Sequence, residues 1–157
     1  MVSPRGGARR QQPIKESIEF MEAHPISDET RRNFHLFCDH FPFPVMLVHK
    51  DRTILAVNKT AEEAGVPTGM RCVDMGKKEY HKGCKANQAL SDQSAKRVVE
   101  YVEFREAVLD SYWIPLAGSE DLYLHFSADI TEWARQDMIP KKCGTGGHRC
   151  ACNGGHG

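Results

Sequence analysis

The 157-residue sequence has no excess of charge of either sign: Lys plus Arg and Asp plus Glu number 21 each. A balanced chain exerts no overall pull on nucleic acid or on an anionic membrane, so neither is expected as a partner. No apolar run approaches the roughly 20 residues of a membrane-spanning helix. Arg9-Arg10 is not followed by the apolar core of a secretory signal, which makes the cytoplasm the expected location. There is no Gly-rich phosphate loop between a strand and a helix; Gly144-Thr145-Gly146-Gly147 comes after the last strand-like run. Asp, Glu, His and Ser are scattered without a nucleophile or acid–base motif, so no enzymatic reaction is expected. The six cysteines, in a cytoplasmic chain, read as thiols or metal ligands rather than structural disulfides.

What the sequence does have is periodicity. In Leu122–Ile130, Leu122, Leu124, Phe126, Ala128 and Ile130 alternate with Tyr123, His125, Ser127 and Asp129. A period of two marks a strand with one buried face. The apolar set is expected to face the helical segment that precedes the last three strands, and His125 to lie on a surface or interface. The run then stops at Asp129-Ile130-Thr131-Glu132 and passes into a short helical exit, Glu132–Met138.

Four more strands are expected. Val45–His49 and Thr53–Asn58 form a hairpin around the polar turn Lys50-Asp51-Arg52. Lys96–Arg105 is rich in valine and aromatics, and Tyr112–Leu116 is a shorter strand with Pro115 at its end. Asn58 is suited to cap a helix over Lys59–Ala64 that Gly65 ends. Residues 67–83 read as irregular, and Cys84–Leu90 as a short helix.

Upstream, residues 1–12 are small, basic and without apolar period, and are expected to be disordered. Residues 13–42 carry N-terminal helices. Pro13 suits a first helical position, and Ile14, Ile18 and Met21 recur at helical spacing. Ser27 is an N-cap for a second helix, with Asp28 and Glu29 favouring its positive end, and Phe41-Pro42-Phe43-Pro44 ends it. Phe34, Phe37, Cys38 and Phe41 are expected on one face.

The order is thus helices, two strands, a helical insert and three strands. It predicts an α+β fold: a five-stranded antiparallel sheet with helices on one face, preceded by N-terminal helices. With the strand ending in Asn58, Ala61 three residues on, and the closing Asp129-Ile130-Thr131-Glu132, residues 43–138 resemble a PAS domain, a small bacterial sensory module. Arg71-Cys72 through Gly83-Cys84-Lys85-Ala86 is also similar to cysteine-bearing PAS domains of anaerobic bacterial sensors.

The resemblance implies a domain that senses or relays, holding a small ligand, haem, flavin or metal between sheet and helices, or dimerising. A flavin photosensor would need a cysteine in an Asn-Cys-Arg-Phe-Leu-like helix; Met70-Arg71-Cys72-Val73 lacks the asparagine and the aromatic. Haem would need an axial His, Cys or Met, and no Cys-x-x-Cys-His is present for covalent attachment. His81, Cys84 and Cys72 are the candidate cofactor-binding residues. His81 also reads as a solvated loop residue, and Cys84 as a small buried apolar group.

The candidate metal ligands lie in the Gly-rich tail, residues 139–157: Cys143, His148, Cys150, Cys152 and His156. Thiolate and imidazole are donors for zinc and iron–sulfur centres, and glycines let a short chain turn around an ion. Cys150-x-Cys152 departs from the usual two-residue gap, and a flexible tail is the competing reading. Two functions follow as expectations. One is a PAS-like sensory or regulatory domain that forms a homodimer and signals to a partner protein. The other is a metal- or redox-handling protein built on a PAS-like scaffold with a Cys/His tail.

Overall fold

The structure, a computed structural model, describes residues 26–140. The disordered segment and first helix expected upstream, and the tail from Lys141 onward, lie outside the described residues. A first helix, α1 (Asp28–Cys38), starts at Ser27, whose side-chain oxygen accepts from the Thr30 amide at 3.0 Å. Five strands follow: β1 (Val45–His49), β2 (Ile54–Val57), β3 (Lys96–Val102), β4 (Ala107–Pro115) and β5 (Leu122–Asp129). Between β2 and β3 lie α2 (Lys59–Glu63), two 3₁₀ turns (Cys72–Asp74 and Lys78–His81) and α3 (Ala86–Asp92). All five strands join one antiparallel sheet in the order β2-β1-β5-β4-β3, the PAS-like α+β arrangement.

Buried Asn58 fixes the start of this sheet. Its Oδ1 accepts from the amides of Val45 (2.9 Å) and Ala61 (3.0 Å), so it caps α2 as its sequence position suggests. Its Nδ2 also donates to the carbonyls of Cys38 (3.0 Å) and Phe43 (2.9 Å), tying the end of α1 to the hairpin. At the other end Asp129 accepts from the Thr131 amide, while the Thr131 hydroxyl oxygen accepts from the Val108 amide at 2.9 Å. These bonds turn the chain out of β5, which is why the strand stops at Asp-Ile-Thr.

Several boundaries differ from expectation. β3 ends at Val102, because Glu103–Arg105 coils into a 3₁₀ turn and Glu106 takes a left-handed conformation (φ 50°). β4 begins at Ala107, not Tyr112, and accommodates buried Asp110 because Arg97 of β3 grips it with two bonds of 2.7 and 2.8 Å. α3 spans Ala86–Asp92 rather than Cys84–Leu90, and the exit after β5 is a pair of 3₁₀ turns, Thr131–Trp133 and Gln136–Met138.

The larger correction concerns the faces of the sheet. The insert packs on the face of Val48, Ile54, Trp113 and Tyr123, together with Cys72, Ala86 and Ala89. Leu122, Leu124 and Phe126 point the other way, into the layer of Phe34, Cys38, Val45, Leu47, Leu55 and Ala56 beneath α1. The apolar stripe of β5 therefore meets the N-terminal helix, and the stripe expected to be polar meets the insert. On α1, Phe34 and Cys38 are buried, but Phe37 is 77% exposed, so the expected single aromatic face splits in two.

Candidate functional site

The inner layer, between sheet and insert, gathers most of the chemistry of the described residues. Tyr123 and His125 project into it from β5, and Trp113 from the neighbouring β4, directly opposite His125. Trp113 and His125 stack at 4.8 Å between ring centroids and 13° between planes. His125 Nδ1 donates to the Tyr112 carbonyl at 2.8 Å; a carbonyl only accepts, so this nitrogen carries the proton and Nε2 is left as an acceptor. Burial holds the imidazole below its ordinary pKa, with the neighbouring His81 and Arg52 acting in the same direction. His125 is thus a half-buried group facing the inner layer, where a surface or interface residue was expected.

Tyr123 is 1% exposed. Its hydroxyl accepts from Arg52 Nη1 at 3.2 Å, and the Arg52 guanidinium lies 5.8 Å from the ring centroid. Burial, reinforced by Cys72, pushes the phenol well above its ordinary pKa, so it stays protonated. Arg52 reaches in from the β1–β2 turn, where its own backbone is left-handed (φ 83°). Its Nη2 donates to Asn87 Oδ1 of α3 at 2.6 Å. One side chain thereby links the hairpin turn, β5 and the insert.

The three cofactor candidates lie around this centre. Cys72 is buried in the inner layer, and its amide donates to the Arg52 carbonyl at 2.8 Å. Burial raises its thiol pKa, while hydrogen bonding with Tyr123 opposes the rise. Cys84 is half-buried against the same cluster. His81 Nε2 donates to the Met75 carbonyl at 2.9 Å, bracing the turn that carries it. The fold therefore packs Cys72 and Cys84 against one cluster, while His81 ends the 3₁₀ turn Lys78–His81. Among the described residues no three His, Cys, Asp or Glu side chains converge closely enough to hold a metal ion. Cys143, His148, Cys150, Cys152 and His156 lie outside the described residues.

Sequence reasoning passed over Arg52, Asn87, Trp113 and Tyr123 as site residues. A signal existed for Tyr123 and His125: an aromatic and an imidazole on the supposedly polar stripe of a central strand. None existed for Arg52, which looked like one charge of a polar turn.

The opposite face offers a different surface. On α1, Leu36 and Phe37 are 74% and 77% exposed. Phe41 packs edge-on against Phe126 at 5.2 Å, and Phe126 stacks on Tyr112 at 4.9 Å, forming an aromatic row across β5 and β4. Arg97, bonded to Asp110, lies over Tyr112 at the end of that row. No helix among the described residues is long and apolar enough to cross a membrane.

No family model matches this chain, and no curated protein matches it. Among solved structures, it is similar to a sensory box sensor histidine kinase from Vibrio cholerae, at 19% identity, covering 66% of this chain and 91% of that one, with a TM-score of 0.49. A domain of an HTR-like protein from Haloarcula marismortui ATCC 43049 is similar at 21% identity, covering 57% of this chain and 99% of that one, with a TM-score of 0.48. The PAS domain of a protein from Colwellia psychrerythraea is similar at 15% identity, covering 66% and 97%, with a TM-score of 0.46.

Proposed function

We propose that this PAS-like domain is a cytoplasmic sensory or regulatory module that receives a small ligand or a redox signal in its inner layer. Cys72, Cys84 and His81, with Arg52, Tyr123 and His125, form the receiving site. The signal passes through the sheet to α1 and from there to a second copy of the chain and a partner protein. The observation that carries this reading is the opposition of the two faces along β5. Tyr123 and His125 enter the inner layer, while Leu124 and Phe126, each one residue away, support the outer layer beneath α1. A change in packing around Tyr123 is therefore transmitted through a rigid strand to the footing of a helix that exposes Leu36 and Phe37. Contiguous exposed apolar side chains of this kind mark interaction surfaces.

The test is the oligomeric state. We expect the wild type to sediment as a dimer at tens of micromolar, an order of magnitude set by ordinary affinities of about 1 µM. The pair Leu36→Glu and Phe37→Glu should give a monomer with unchanged circular dichroism, since both side chains point outward. A wild type that is already monomeric there removes α1 as a homodimer surface.

A second reading keeps the same scaffold and assigns zinc or iron–sulfur binding to the tail, through Cys143, Cys150 and Cys152 with His148 or His156. The density of donors favours it: three cysteines and two histidines in residues 143–157.

A further inference from the structure

We propose that Arg52 is the anchor of a binding site for a small organic monocarboxylate with an apolar body, with Asn87 and Tyr123 holding the guanidinium in place. This deepens the sensory reading, on which it rests, by naming the class of ligand that the inner layer receives.

The argument starts from what surrounds the charge. Arg52 is half-buried, and its two side-chain partners, Tyr123 Oη and Asn87 Oδ1, are both neutral. Burial works against its charge, and the groups that favour the charge are the Tyr123 oxygen and the Cys84 and Cys72 sulfurs; no carboxylate is among them. Other arginines that reach an acidic side chain do so at the surface or on the far face of the sheet, as Arg97 does with Asp110 and Arg135 with Asp137. Among the described arginines, Arg52 is carried by a left-handed turn into a layer with a phenol, thiols and an imidazole. A guanidinium has five N–H donors, and the two bonds to Tyr123 and Asn87 leave three for a ligand.

The chemistry of the site then selects among anions. A guanidinium fork matches a planar carboxylate, and charge-assisted bonds of this kind are the stronger ones. The neighbouring groups add little positive charge to receive a dianion: a phenol and a thiol carry none in either protonation state, and burial disfavours the imidazolium of His125. One fixed cation suits one negative charge. The partly buried Val66, Met75 and Leu90 pack against the same cluster as Tyr123, the partner of Arg52, which suits an aliphatic body behind the carboxylate.

The structure also supplies a local reporter. The chain has two tryptophans; Trp113 is buried in the inner layer and Trp133 is 76% exposed. In a Trp133→Phe background, all tryptophan emission comes from the site. Hexanoate, hexanamide and inorganic phosphate are titrated into this full-length chain up to about 10 mM, a ceiling that reaches millimolar dissociation constants. We expect a saturable change in Trp113 emission with hexanoate and none with the other two. Arg52→Gln should weaken hexanoate at least tenfold, and Arg52→Lys should weaken it less. Asn87→Asp, at an exposed position, should also weaken it at least tenfold, because an internal carboxylate then occupies the guanidinium. That variant keeps the test decisive if Arg52→Gln does not fold. No response to hexanoate overturns the proposal, as does undiminished binding to Asn87→Asp. Equal binding of hexanamide overturns the anion anchor, and equal binding of phosphate overturns the carboxylate assignment. In each of these cases the sensory reading stands or falls separately, on the dimer test with Leu36 and Phe37.

Discussion

The two faces of the sheet are built from the same strands and do opposite work. The outer face, beneath α1, is filled by Phe34, Leu47, Leu55 and their neighbours, with the aromatic row of Phe41, Phe126 and Tyr112 beside it. The inner face holds a phenol, an imidazole, two thiols and a guanidinium, held in place by hydrogen bonds rather than by shape alone. Its cover is short helices and 3₁₀ turns instead of a long helix. An apolar layer gains stability from area and close packing. The polar groups set into the apolar inner layer gain little net stability from each satisfied bond, yet lose much when one partner is removed. The difference sets aromatic and aliphatic packing on one side of β5 and a group of hydrogen-bonded polar side chains on the other.

The largest effect expected from that contrast lies on the outer face. Phe34→Ala leaves a cavity under α1 and should cost about 3–4 kcal/mol in denaturant unfolding. Tyr123→Phe, on the inner face, keeps the ring and removes only the hydroxyl that serves Arg52 and Cys72, and should cost about 1 kcal/mol. Equal losses would mean that both layers are held by packing alone.

Asn58 joins the layers, and its removal comes next in size. Asn58→Ala strands the amides of Val45 and Ala61 and the carbonyl of Phe43, takes one of two donors from the Cys38 carbonyl, and should cost about 2–3 kcal/mol. Hydrogen exchange should quicken in α2 and at the start of β1 together. Faster exchange in α2 alone would reduce Asn58 to an ordinary helix cap.

The inner face should also respond to mild acid when the outer face does not. His125 has a folded pKa below the ordinary imidazole value near 6.5. The unfolded chain therefore takes up a proton first, and the stability present above pH 6.5 is lost as pH falls toward the folded pKa. The slope is at most about 1.4 kcal/mol per pH unit. Asp110 and Asp129 also have lowered pKa values, through Arg97 and Thr131 respectively, but their contribution is lost only as pH falls below the ordinary aspartate value of 3.8. His125→Gln should flatten the stability profile just below pH 6.5 and leave the lower limb in place. A profile already flat there in the wild type would place His125 in water.

The smallest effect on the fold should come from the tail. Ending the chain after Pro140 should leave thermal unfolding of residues 26–140 unchanged, since their layers close among themselves. The same truncation should abolish zinc binding measured by competition with a chromogenic chelator, and the binding it removes should weaken with falling pH as thiolates are protonated. Unchanged zinc stoichiometry would remove the tail as the metal site.

Much of this architecture follows from the sequence alone, because the deciding interactions are local. Ser27 and Asn58 cap helices whose first amides are two or three residues away, and the alternation in β5 reflects the pleat of a single strand. Cys72, His81 and Cys84 stand out for their chemistry, and of these Cys72 and Cys84 pack against one cluster. Tertiary structure decided the rest. Alternation says which residues share a face, but not which neighbour covers it, so the two stripes of β5 were paired with the wrong layers. β4 could start at Ala107 only because Arg97, on another strand, neutralises Asp110. Arg52 became a site residue only because a left-handed turn aims it between Tyr123, 71 positions away, and Asn87, 35 positions away. Contacts over such separations leave no mark in the local periodicity of a chain, because periodicity records a segment's own geometry and not the partner that buries it.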